Sequence, residues 1–140
     1  MPDPALLSED QLKRFLESHL VERGWTVTVA WGKHRGVDLL ARGRAERLIV
    51  KCKGEAPTLQ MEGNYFLSAL GELVQRMHEP DVGYALALSE NARFCGLAER
   101  LPPVARARLT LAVFFVQGDG SVSFDPPPSL EAVSGVAVSG

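Results

Sequence analysis

The sequence predicts an α/β domain built on a mixed central sheet with helices on both faces. Three observations predict it. The hydrophobic patterns run in the order helix, three strands, helix, strand, helix, strand, strand. The first three strand patterns are joined by connections too short for a crossover, so they form an antiparallel meander. Two later stretches, Tyr84–Leu88 and Leu109–Val116, are nearly unbroken apolar runs, as expected of strands covered on both faces.

Residues 1–7 read as a loose leader. Ser8-Glu9-Asp10-Gln11 has the Ser-x-x-Gln form of a capping box, and Leu12, Phe15, Leu16 and Leu20 follow at helical spacing, which predicts a helix over about 9–23. Gly24 stands where a left-handed cap costs least. Trp25–Trp31 is β-branched and aromatic and reads as the first strand. Gly32–Gly36 make a basic turn, 37–41 a second strand, 42–47 a polar turn around Gly43, and 48–53 a third strand closed by Gly54. Residues 55–63 read as a loop containing Pro57. Asn64 is then the expected cap of a helix over 65–78, with Phe66, Leu70, Leu73, Val74 and Met77 as its apolar face and Pro80 as its end. A helix over 91–100 follows Tyr84–Leu88 and is stopped by Pro102-Pro103. Gln117–Gly120 turns the last buried strand into a short edge strand at 121–124. The domain is expected to span 1–124, with the Pro-rich, small-residue stretch 125–140 as a tail or a loosely packed strap.

Composition narrows the function classes. At 140 residues, 46% hydrophobic and 23% charged, the chain is long enough to bury a core without metal or disulfide staples. No apolar run approaches the roughly 20 residues of a membrane-spanning helix. Met1-Pro2-Asp3-Pro4 carries no basic-then-apolar export pattern, so a cytoplasmic location is expected. Cys52 and Cys95 stand far apart without zinc-type spacing and read as reduced thiols. The net charge is only −2, yet Lys33, Arg35, Arg42, Arg44, Arg47, Lys51 and Lys53 face just Asp38 and Glu46 within one window of net charge +5. A basic patch on an acidic body focuses on a polyanion. The alternative is that several of these side chains only solvate a hairpin.

The third strand carries the chemistry. With a period of two, Ile49, Lys51 and Lys53 share one face and Leu48, Val50 and Cys52 the other. Two adjacent lysines repel unless an anion lies nearby, and Asp38 is the partner expected across the meander. The alternative is a surface salt-bridge group. Other residues say less. His19 falls on the apolar side of the first helix and reads as a core histidine. His34 would contact phosphate or water. Trp31, beside the basic turn, would stack on a base, although a core or rim tryptophan is the commoner case. Cys52 faces away from the lysines and reads as core.

Gly36-Val37-Asp38, followed after a gap by Leu48-Ile49-Val50-Lys51-Cys52-Lys53-Gly54, resembles the core of the PD-(D/E)XK nuclease superfamily, whose fold is restriction-endonuclease-like. The stretch from Phe66 through Glu72 to Met77, Tyr84–Leu88, and Val116–Gly120 is similar to small stand-alone bacterial members. The resemblance covers roughly residues 8–124. It implies a metal-dependent DNA endonuclease site. The motif's Asp and Glu would hold Mg²⁺, and its Lys would stabilise charge or position water. Asp38 matches the Asp and Lys53 the Lys. Lys51 stands at the Glu position, and the first-helix acid position matches Lys13 or Arg14. Two unit charges about 4 Å apart interact by roughly 4 kcal/mol at an effective dielectric near 20, so a lysine there opposes a metal ion strongly. Glu17, Glu55, Glu62 and Glu72 are the acids available for relocation, Glu17 and Glu72 foremost.

Two readings follow. One is an active Mg²⁺-dependent endonuclease using Asp38, Lys53 and a relocated carboxylate. The other, which the residue at 51 favours, is a binding module without the metal. Lys51, Lys53 and the turn residues Lys33, His34, Arg35, Arg42 and Arg44 would then hold nucleic acid, DNA rather than RNA. A protein–protein scaffold is a third reading, and a homodimer is compatible with each. No membrane role is expected.

Overall fold

In the computed structural model, residues 6–32 and 37–133 are described. The elements are α1 (Glu9–Glu22), β1 (Thr26–Val29), β2 (Leu39–Arg42), β3 (Arg47–Lys53), α2 (Leu59–Val74), β4 (Gly83–Ser89), α3 (Ala92–Glu99), α4 (Pro103–Leu109), β5 (Leu111–Val116) and β6 (Val122–Asp125). They form one six-stranded sheet in the order β1-β2-β3-β4-β5-β6. The first three strands make the expected antiparallel meander, β3, β4 and β5 run parallel, and β6 returns antiparallel along β5. The parallel pairs require crossovers, and α2 supplies the first while α3 and α4 supply the second.

Alternation along the strands divides the core in two. Val50, Cys52, Ala85, Ala87, Ala112 and Phe114 face Leu12, Leu16 and Leu20 of α1. Tyr84, Leu86, Leu88, Leu111 and Val113 face Phe66, Ala69 and Leu73 of α2 and Phe94 of α3. Alanines on one face of β4 and large side chains on the other let both layers approach one thin sheet.

The ends of α1 form as the sequence implies. Ser8 Oγ accepts the Gln11 N–H at 3.1 Å. Gly24 adopts φ +89°, and the Trp25 N–H reaches the Leu20 carbonyl at 3.1 Å, closing the helix.

Several boundaries differ from expectation. The leader is not loose at its end. Leu7 is buried in the α1-side core, and the Glu55 N–H donates to its carbonyl at 2.8 Å. Residues 1–5 lie outside the described residues. Helix α2 starts at Leu59, not at 65, because Thr58 rather than Asn64 is its cap. Thr58 Oγ1 accepts the Met61 N–H at 3.1 Å. The helix also stops at Val74, before Met77. Strand β1 is shorter than the expected 25–31, and Asp38 precedes β2 by one residue. Pro102-Pro103 not only ends α3 but opens α4, with Pro103 in the first turn, where its missing N–H has no partner to lose. Leu109 therefore belongs to α4, and Thr110, at φ 52°, caps it before β5 begins. The Arg106 guanidinium of α4 donates to the carbonyls of Leu111, Asp125 and Pro126, and so fastens the first residues after β6.

Gly54 is where α1 meets the end of β3. A Cβ there would lie 2.5 Å from the Glu9 nitrogen and 2.6 Å from the Leu7 oxygen, both backbone atoms. Gly54→Ala is expected to push the start of α1 off the sheet and cost at least about 2 kcal/mol in urea unfolding. Gly71→Ala, with open space around its Cβ, is the control expected to be neutral or stabilising.

Candidate functional site

The site lies at the C-terminal end of β3. Register alone assembles half of it. Leu39 opposes Val50, so Asp38, one step before β2, comes beside Lys51. The Asp38 carboxylate is buried, at 2% exposure. It accepts the Cys52 backbone N–H at 2.8 Å and lies 3.4 Å from Lys51 Nζ. The expected partnership across the meander is present.

Helix α2 adds an acid from the opposite side. Glu72 Oε2 is 2.6 Å from Lys51 Nζ, so the Lys51 ammonium sits between two carboxylates. Burial lowers the Lys51 pKa, but the Glu72 hydrogen bond and the Asp38 charge outweigh it and hold the pKa above the ordinary lysine value. The Lys51 hydrogen bond likewise keeps Glu72 below the usual glutamate range, against a smaller effect of burial.

Helix α1 adds a second ammonium. Lys13 is fully buried beside Leu12 and Leu16. Its Nζ lies 3.8 Å from Asp38, 3.2 Å from Glu9 and 3.8 Å from Asp10, and donates to the Ala30 carbonyl at 2.7 Å. Lys53 lies 3.8 Å from Glu9 and 5.3 Å from the Tyr65 ring centre, a cation–π distance. Asp38, Lys51, Lys53, Glu9, Tyr65 and Glu72 line a shared open cavity of about 440 Å³.

The sequence-predicted residues divide accordingly. Asp38, Lys51, Lys53 and Glu72 come together. Glu17 makes no ion pair or hydrogen bond with them among the described residues. Glu55 borders the cavity, but its carboxylate accepts from the Leu7 N–H at 2.9 Å and from Asn91 Nδ2 at 3.3 Å. Glu62 is buried against the Ala56 N–H and Asn91. Arg42 and Arg44 are exposed near the β2–β3 turn, whereas Lys33, His34 and Arg35 lie outside the described residues. His19 is half-buried, 6.4 Å from the Phe114 ring and nearly perpendicular to it. Burial, then the Asp38 charge, pushes the Cys52 thiol well above its ordinary pKa, leaving it a poor nucleophile.

Sequence reasoning missed Glu9 and Tyr65 and gave Lys13 no role of its own. A signal for Lys13 exists. Positions 13, 16 and 20 share a helical face, so a lysine interrupts an apolar stripe at a point where Glu9, one turn earlier, can answer it.

No protein-family model matches the chain, and no curated protein does. Among solved structures it is similar to an XisH family protein from Nostoc punctiforme PCC 73102, with TM-score 0.55, 16% identity, and coverage of 81% of this chain and 98% of that one. It is also similar to an fdxN element excision controlling factor protein from Anabaena variabilis, with TM-score 0.54, 16% identity, and coverage of 80% and 95%. The chain shares the XisH fold. That fold is restriction-endonuclease-like, so the mixed sheet between helices stands as expected.

The Lys51–Glu72 pair has a defined pH window. Glu72, with a lowered folded pKa, contributes stability above its unfolded value of about 4.3 and loses it as pH falls through the lower folded value. Lys51, with a raised folded pKa, contributes below about 10.4 and loses it as pH rises through the higher folded value. The stability difference between the parent and Glu72→Gln, measured by urea unfolding, is therefore expected to be level from about pH 5 to 9 and to shrink below about pH 4.

Proposed function

We propose that this chain is a non-cleaving member of the PD-(D/E)XK group, in which the metal position has been taken over by lysine and the domain acts by binding nucleic acid. The observation that carries this reading is the Lys51 ammonium, 2.6 Å from Glu72 and 3.4 Å from Asp38. A Mg²⁺ ion needs several oxygen ligands free to coordinate it at about 2.1 Å. Here the two carboxylates best placed to supply them hold an ammonium between them, and a second ammonium, Lys13, lies 3.8 Å from Asp38. Among the described residues no three His, Cys, Asp or Glu side chains gather in a way that could hold a metal. The donor set does not fit the ion, and we derive no hydrolytic step.

Support for nucleic acid comes from elsewhere on the surface. Arg42 and Arg44 project near one turn, and the sequence places Lys33, His34 and Arg35 in the other turn of the same meander. One fold neighbour is an fdxN element excision controlling factor protein, and a role in excising an element favours DNA over RNA. Binding through such a patch would rest on phosphate contacts and counterion release.

Two measurements test the reading. Calorimetric titration of the parent with Mg²⁺ is expected to show no binding, and Lys51→Glu is expected to introduce it. Tight Mg²⁺ or Mn²⁺ binding by the unaltered protein would overturn the proposal. DNA affinity is expected to fall steeply with salt, and Arg42→Ser with Arg44→Ser should flatten the logarithmic slope by about 1 per phosphate contact removed. Affinity that is absent or independent of salt would remove the nucleic-acid role.

A further inference from the structure

The geometry points to Trp31 as a stacking platform for an unpaired nucleobase, and we propose it as such. The inference rests on the nucleic-acid reading above and adds what kind of strand is bound.

Tryptophan is usually withdrawn from water on a domain of this size. Trp31 is 43% exposed. Its main chain is held on both sides. On one side the Ala30 N–H donates to the Asp38 carbonyl at 2.9 Å, and the Ala30 carbonyl accepts from buried Lys13 at 2.7 Å. On the other side the Gly32 N–H donates to Asp10 Oδ1 at 3.1 Å. Gly32 sits at φ +72°, a conformation that glycine adopts without strain. The backbone thus fixes where the indole leaves the chain, which lowers the ordering cost of binding.

The ring already carries one cationic partner. The Arg14 guanidinium lies over it, 5.0 Å from the ring centre. A cation on the indole leaves the guanidinium N–H groups free at their edges for a phosphate oxygen, while the open part of the ring accepts a flat aromatic group. Gly32, next in the chain, borders the cavity that contains Lys53. An exposed aromatic set among cations matches a base with its backbone phosphates. In an intact duplex both faces of each base are occupied by neighbouring base pairs, so this contact selects single strands, ends or extruded bases.

The test uses labelled single strands of about 12 nucleotides and the matching duplex, with affinity read by anisotropy. Trp31→Leu is expected to weaken single-strand binding about 10-fold or more while duplex affinity stays within about twofold, and Trp31→Phe is expected to restore most of the loss. The chain has two tryptophans. A Trp25→Phe background therefore isolates Trp31, whose emission should be quenched by the single strand. If the parent binds and Trp31→Leu binds single strands equally well, the platform is refuted and the nucleic-acid reading stands. If quenching appears only with a duplex, stacking on an unpaired base is likewise refuted. If the parent binds neither form, both the platform and the nucleic-acid reading fall.

Discussion

The rest of this site depends on one buried carboxylate. Asp38 is nearly inaccessible, and an isolated buried charge of that kind would be strongly unfavourable. It is compensated by the Cys52 N–H and by ammonium groups from two elements, Lys51 on β3 and Lys13 on α1. Each lysine then needs its own compensation. Lys51 takes it from Glu72 on α2, and Lys13 from Glu9, Asp10 and the Ala30 carbonyl. The chain of demands explains features that otherwise look unrelated. The start of α1 must lie against the end of β3 to bring Glu9 and Lys13 into place, and Gly54 is the residue whose missing Cβ permits that approach. The pairing of Leu7 with Glu55 fastens the same junction from both sides.

A network that neutralises itself has a consequence for binding. Charges already paired at 2.6–3.8 Å attract a distant polyanion less than unpaired ones do. On the proposed reading, long-range attraction therefore falls to the exposed arginines of the meander, and the cluster beneath contributes rigidity. Lys13 shows the link most directly. The ammonium that balances Asp38 also fixes the Ala30 carbonyl, and Ala30 immediately precedes Trp31. The lysine at this helix position thus joins the charge balance of the site to the backbone that precedes a surface aromatic.

How much of this was legible in the sequence follows from the range of each signal. Alternation in β3 is a local rule, so the shared face of Lys51 and Lys53 and the position of Asp38 opposite could be read directly. The fold order was legible for the same reason, since helical and strand periods differ. The start of α2 was not, because Gly63 and Asn64 resemble loop chemistry while the decisive event is a single hydroxyl, Thr58, meeting the Met61 N–H. Helix α4 was hidden because two prolines end one helix and begin another with the same side chains. Glu9 and Tyr65 reach the site only through the packing of α1 and α2 on the sheet, which no local pattern encodes. Lys13 was visible as an interruption of the apolar stripe, but its target was not.

Two lysines, rather than one, make electrostatic sense. In the motif this chain resembles, a divalent ion would supply two positive charges to a set of convergent carboxylates. Loss of the ion without further change would leave those carboxylates to repel one another in a poorly solvated place. A single lysine would restore half of the missing charge. Here Lys51 and Lys13 stand 3.4 and 3.8 Å from Asp38, so two fixed ammonium groups bring it two positive charges at ion-pair distance. They differ from a metal ion in one respect that matters for chemistry. An ammonium donates hydrogen bonds and holds its neighbours still, but it offers no open coordination position at which a water could be activated. On the proposed reading, the two ammonium groups that keep Asp38 electrostatically balanced also leave no place for an ion that activates water, so stability and the absence of cleavage share one cause.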